Sequence, residues 1–153
     1  MKEIIQVKCT EETESFGRAL AKRLDDAKIK RAFIALFGEM GVGKTAFTRG
    51  FSSYFGVKSV KSPTYTVLNE YRGTAKIHHF DFYRITDGDD LYSIGYDDII
   101  EDDGYCLGEW SENIVEFLPT DAIKVTISRV FTGGVSEEEA MLRSITLESE
   151  ITF

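Results

Sequence analysis

Residues Gly38-Glu39-Met40-Gly41-Val42-Gly43-Lys44-Thr45 spell G-x-x-x-x-G-K-T, a spacing whose chemistry is the binding of phosphate. Glycines let successive backbone N–H groups turn toward one anion, the lysine carries its charge to the outer phosphates, and the threonine hydroxyl can ligate Mg²⁺. Such a loop works only between a strand and a helix. The apolar run Arg31 to Phe37 supplies a buried strand before it. Ala46 to Phe55, with Phe47, Phe51 and Phe55 at four-residue spacing, supplies the helix after it, and Gly56 ends that helix. A glycine turn present only to join strand and helix has no need of the Lys-Thr pair at this offset. The chain is therefore read as holding a nucleoside triphosphate with Gly38, Glu39, Met40, Gly41, Val42, Gly43, Lys44, Thr45 and Ala46.

A Mg²⁺ that bridges phosphates also needs a carboxylate, direct or through water. Two acids at strand ends fit. Asp81 closes the β-rich run Ala75 to Asp81 and would lie near the phosphate loop if that strand neighbours the loop strand. Glu109 closes the run Tyr105 to Glu109 and is placed to hold the metal or to orient the attacking water. The plainer role for either is to cap the next turn or to pair with Arg84. Ser62-Pro63-Thr64-Tyr65-Thr66 stands where nucleotide switches place a hydroxyl that senses the γ-phosphate, and it also reads as an extended Ser-Pro turn. His78 and His79 project to opposite faces of one strand, which excludes a two-His metal site and makes one of them a packed residue and the other a surface one. Trp110 is read as a core anchor, with stacking on a base or partner as the alternative.

The elements that must position these groups alternate in type. Lys2 to Cys9 reads as a strand. Thr10 reads as the cap of a helix with Glu11 and Glu12 in its first turn and Phe16, Leu20 and Leu24 along one face. After the loop helix, Thr66 to Tyr71 and Ala75 to Asp81 are divided by only Arg72-Gly73-Thr74, which demands an antiparallel hairpin. Ser111 reads as the cap of a short helix to Phe117, stopped by Pro119, and the tail holds strands Ile123 to Ile127 and Arg143 to Leu147 around a Gly133-Gly134 loop. The sheet is therefore mixed, in an α/β fold.

Composition bounds the rest. A chain of 153 residues, 42% hydrophobic and 29% charged, with two prolines and no linker-like stretch, reads as a single domain over 1–153. The start lacks the basic and apolar regions of a leader and no run suits a membrane span, so a soluble cytoplasmic protein is expected. Cys9 and Cys106 stand outside metal or redox spacings and read as packed thiols. A formal net charge of −8 is the wrong sign for gripping nucleic acid, so no DNA binding is expected and any contact with RNA should run through a partner. Asp87, Asp89, Asp90, Asp97, Asp98, Glu101, Asp102 and Asp103 are interleaved with Leu91, Tyr92, Ile94, Tyr96, Ile99 and Ile100. That pattern reads as two short helices with one solvated face, or as an acidic docking surface for a basic partner.

Taken in order, the phosphate loop, Ser62-Pro63-Thr64-Tyr65-Thr66, His79-Phe80-Asp81-Phe82-Tyr83-Arg84 and Glu109-Trp110 resemble the TsaE family, also known as YjeE. Phe82 stands where Leu is commoner, and Ser111 where Pro is frequent. The resemblance implies a P-loop NTPase-like three-layer fold with a mixed central sheet. It also implies a Mg²⁺-dependent ATPase that supports formation of threonylcarbamoyladenosine next to the anticodon of tRNA, acting with the TsaD and TsaB proteins and meeting tRNA only through them. By the same resemblance Lys44 binds phosphates, Thr45 and Glu109 serve Mg²⁺, and Asp81 and Thr64 belong to the hydrolytic site. Two other classes share the loop: a small-molecule kinase, which would need a basic lid that the chain does not display, and a binding module that uses nucleotide only as a switch.

Overall fold

Along Arg31–Phe37 the apolar side chains alternate between two packed surfaces, so this strand, β2, is buried on both faces. The computed structural model, which describes residues 1–61, 67–130, 136 and 140–153, places it within a sheet of seven strands. Besides β2 they are β1 (Lys2–Val7), β3 (Leu68–Arg72), β4 (Lys76–Asp81), β5 (Gly104–Glu109), β6 (Ile123–Arg129) and β7 (Arg143–Glu148). Their order across the sheet is β1-β7-β6-β2-β5-β4-β3. The pairs β6-β2, β2-β5 and β5-β4 are parallel, while β1-β7, β7-β6 and the hairpin β3-β4 are antiparallel, so the expected mixed sheet is present.

One face is covered by α1 (Thr10–Asp26) and α2 (Lys44–Tyr54). Leu20, Leu24, Phe47, Phe51 and Phe55 meet Ile34, Leu36, Leu107, Val125 and Ile127 there. Burying each such side chain stabilises the fold by roughly 1.5–3 kcal/mol. The two helices cross so closely that a Cβ on Gly50 would stand 1.9 Å from the Glu14 carbonyl oxygen. This contact holds the middle of α2 against α1. The other face carries α3 (Gly88–Ser93), α4 (Tyr96–Glu101) and a 3-10 helix over Ser111–Phe117, packed through Leu91, Tyr96 and Ile114 onto Phe33, Phe80 and Phe82. The acidic segment thus forms the expected pair of short helices. Cys106 is buried there, its thiol pKa pushed up to about 12 by that burial, and Cys9 is free as well.

Three local expectations are corrected. Thr10 is the first residue of α1 and Cys9 precedes it as the cap, without a side-chain bond. Glu12 instead reaches back to accept the Lys8 N–H at 2.9 Å, which draws Thr10 inside the helix. Ser111 does not cap its helix either: its hydroxyl donates to the Gly108 carbonyl, and Trp110, at φ 59°, occupies the cap position. His78 and His79 are both buried, because the β4 strand is covered on both faces; neither is a surface residue. The segment Ser62 to Thr66, with Thr64, and the Gly133-Gly134 pair lie outside the described residues.

Candidate functional site

The chain leaves β2 at Phe37 and enters α2 at Lys44, two residues before the start that the apolar spacing predicts. Gly38 can carry no side chain: its φ is 146° and a Cβ would lie 2.5 Å from the Ile127 carbonyl oxygen. Gly43, at φ 120°, is the cap of α2 and offers no side-chain acceptor to the first-turn N–H groups, which have no intrahelical partner. Those groups and the helix dipole favour an anion at this place. A carboxylate already uses the neighbouring donor, since Gly38 N–H donates to Glu112 Oε2 at 2.9 Å.

Lys44 is buried at 4% exposure, and its Nζ donates to the Gly38 carbonyl at 2.6 Å. The same ammonium sits 3.8 Å from the ring centroid of Trp110, a cation–π contact. Burial pulls the Lys44 pKa down, and the nearby charges of Glu112, Glu109 and Asp81 oppose the shift. Trp110 itself is half-buried at the edge of the second core and packs 5.1 Å from the ring of Tyr83, so it is both a core residue and the cover of Lys44.

Glu109 closes β5, the strand next to β2, and is only 7% exposed. Thr45 Oγ1 lies 3.2 Å from each of its carboxylate oxygens, and His79 Nε2 lies 2.5 Å from Oε2. Asp81 closes β4 and is the register partner of Glu109 on the same sheet face. Its strand does not neighbour β2, however, because β5 lies between them. Adjacency to the loop strand therefore belongs to Glu109, and Asp81 stands one strand further out. Asp81 Oδ1 accepts the Tyr83 N–H at 3.0 Å, the turn-capping role, and no ion pair with Arg84 forms among the described residues. Burial raises the Asp81 pKa, against the Tyr83 hydrogen bond that lowers it.

Two residues of this cluster are not marked out by residue type alone. His79 reads from sequence as a packing or surface residue, yet its two-residue offset from Asp81 puts both on one strand face, which is the signal that finds it. Glu112 carries no such signal, because the left-handed turn at Trp110, which returns it to Gly38, has no signature in residue types. Two regions outside the motifs also border the loop. The Thr13 methyl carbon lies 3.5 Å from where a Cβ on Gly43 would stand, and Arg129 pairs with Glu39 at 2.8 Å and donates to the Met40 carbonyl. Phe37, Met40, Trp110, Thr126 and Arg129 line a cavity of about 580 Å³ beside the loop.

The donor set suits a hard, oxygen-seeking ion: a hydroxyl on Thr45 and carboxylates on Glu109 and Asp81. Among the described residues no group of three or more His, Cys, Asp or Glu could hold a metal ion. No helix among the described residues is long and apolar enough to cross a membrane.

A mixed α/β sheet with a glycine loop between a central strand and a helix, and with acids at the ends of the next two strands, defines a class of phosphate-loop proteins. Residues 7–134 match the family model described as Threonylcarbamoyl adenosine biosynthesis protein TsaE, and the chain belongs to that family. It is 37% identical over 127 residues to a Bacillus subtilis protein named tRNA threonylcarbamoyladenosine biosynthesis protein TsaE, covering 78% of this chain and 77% of that one. A Haemophilus influenzae protein of the same name is 41% identical over 115 residues, 73% of each chain. The fold is similar to the crystal structure of Bacillus subtilis YdiB, with a TM-score of 0.71 and 28% identity, covering 97% of this chain and 86% of that one.

Proposed function

We propose that this chain is the ATP-binding and ATP-hydrolysing component of the machinery that makes tRNA threonylcarbamoyladenosine, and that it works with TsaD and TsaB. Membership of the TsaE family supports the pathway. The contact of Glu109 with the phosphate-loop hydroxyl of Thr45 carries the rest, because it joins a carboxylate to the loop at the place where a hydrolytic site needs one.

Bound ATP and Mg²⁺ supply the phosphoanhydride and the charge that screens it. The loop from Gly38 to Ala46 is the phosphate cradle, and Lys44 exchanges the Gly38 carbonyl for phosphate oxygens. Thr45 and Glu109 offer oxygen ligands to the ion. Asp81, whose burial makes it a better proton acceptor than a surface aspartate, is suited to orient water, and Thr64 is assigned to the same hydrolytic site. Of the arginines that could screen the developing charge, Arg49 pairs with Glu14 and Arg72 with Glu70, while Arg129 pairs with Glu39 of the loop itself and Arg84 forms no ion pair among the described residues. No arginine at a motif position presents itself as an arginine finger, and slow turnover by the chain alone, raised by its partners, is expected. With a net charge of −8, tRNA is met through those partners and not directly.

The test is phosphate release from ATP with Mg²⁺, by the chain alone and with TsaB and TsaD, together with complex formation in ATP against ADP. A nucleotide-dependent complex with raised turnover is expected. Transfer of phosphate to a small acceptor in place of water would overturn the hydrolytic reading, and failure to associate in either nucleotide would overturn the partner assignment.

A further inference from the structure

Glu109 is also held by a chain of contacts that the hydrolytic reading does not use. His79 is fully buried, and its Nε2 meets Glu109 Oε2. The other ring nitrogen, Nδ1, lies 3.3 Å from the Tyr71 hydroxyl, on the adjacent strand β3. That hydroxyl accepts the Lys61 N–H at 3.2 Å and lies 3.1 Å from the Lys61 carbonyl oxygen. The path from Thr45 through Glu109, His79 and Tyr71 to the Lys61 backbone is therefore continuous. With Glu109 ionised, His79 Nε2 is the donor to it. In the neutral ring Nδ1 is then an acceptor, so Nδ1 and the Lys61 carbonyl compete for the single phenol hydrogen, while the Asn69 side chain is a further hydrogen-bond partner of the same hydroxyl. The two settings of that hydrogen either tie Tyr71 to the histidine or tie it to the chain at Lys61.

We infer that His79 and Tyr71 are positioning residues for Glu109: His79 fixes the carboxylate in register with Thr45, and Tyr71 couples that register to the backbone at Lys61. The inference rests on the hydrolytic reading for its kinetic consequence only. Outer partners of this kind, removed from a metal or catalytic carboxylate, typically cost about 10- to 100-fold in activity. Because Tyr71 reaches Glu109 only through His79, losses at the two positions should not add.

The experiment compares wild type, Tyr71→Phe, His79→Gln and the double variant. Tyr71→Phe removes a single oxygen, and His79→Gln keeps an N–H that can reach Glu109 while losing the link to Tyr71. Each single variant is expected to lower kcat by about tenfold with nucleotide affinity within about twofold, and the double variant to fall no further than His79→Gln. In the nucleotide-free protein, Tyr71→Phe should displace the Thr45 amide resonance, and the same change made on the His79→Gln background should leave it in place. Unchanged kcat, additive losses, or a fall in affinity that matches the fall in turnover would overturn the inference, as would a Thr45 amide indifferent to Tyr71→Phe. If the wild type hydrolyses no ATP with or without partners, the proposed function fails, and the Thr45 resonance still decides the positioning role.

Discussion

The ends of β5 and β4 lie side by side, in register and on one sheet face, and each finishes on a carboxylate. Glu109 is gripped from two sides by Thr45 and His79, whereas Asp81 takes one hydrogen bond from the turn that follows it. The strand order explains the contrast. β5 touches the loop strand β2 and β4 does not, so only Glu109 can share a hydroxyl with the phosphate loop. A side chain's worth to a site is thus decided by which strand neighbours the loop as much as by its own chemistry.

Four measurements put this contrast at risk. Lys44 faces both acids, so Lys44→Ala should have the largest effect and hide any difference between them: kcat/KM for ATP should fall by at least roughly 10³-fold, read by phosphate release and calorimetric nucleotide binding. Glu109→Ala should lower kcat by roughly 10²-fold or more while sparing nucleotide binding. Asp81→Asn, outside the direct grip of the loop, should cost about tenfold in kcat. A loss at Asp81 equal to or greater than that at Glu109 would dissolve the contrast. The smallest effect belongs to the opposite face of β4, where burial holds the His78 pKa below its ordinary value, with Glu70 opposing and Lys76 assisting. The unfolded chain then binds the proton at higher pH than the folded one, so stability should be full above about pH 6.5 and decline as the pH falls below it. Urea midpoints on either side of that pH should differ less in His78→Gln than in wild type.

Much of the frame is legible in the sequence because it follows from local rules. The four-residue apolar spacing of Phe47, Phe51 and Phe55 marks a buried helix face, and the short Arg72-Gly73-Thr74 connection admits only a hairpin. Asp81 and Glu109 stand out because each is an acid that closes an apolar strand in a chain that carries a phosphate-loop motif. What stays hidden is non-local. No property of the residues near Asp81 tells that β5 inserts between β4 and β2, since strand order is set by how both faces of the sheet are covered. His79 escapes notice for a related reason: a lone histidine in an apolar strand looks like packing until the neighbouring strand supplies its carboxylate. Glu112 reaches Gly38 only through a left-handed residue that is not glycine.

Trp110 is the chain's only tryptophan, and its indole ring lies against the Lys44 ammonium. The protein therefore carries an optical label of its own at the proposed phosphate cradle. A change in its ultraviolet emission on adding nucleotide reports loading of the site with no dye attached, and the same signal followed in time gives the rates at which the site fills and empties.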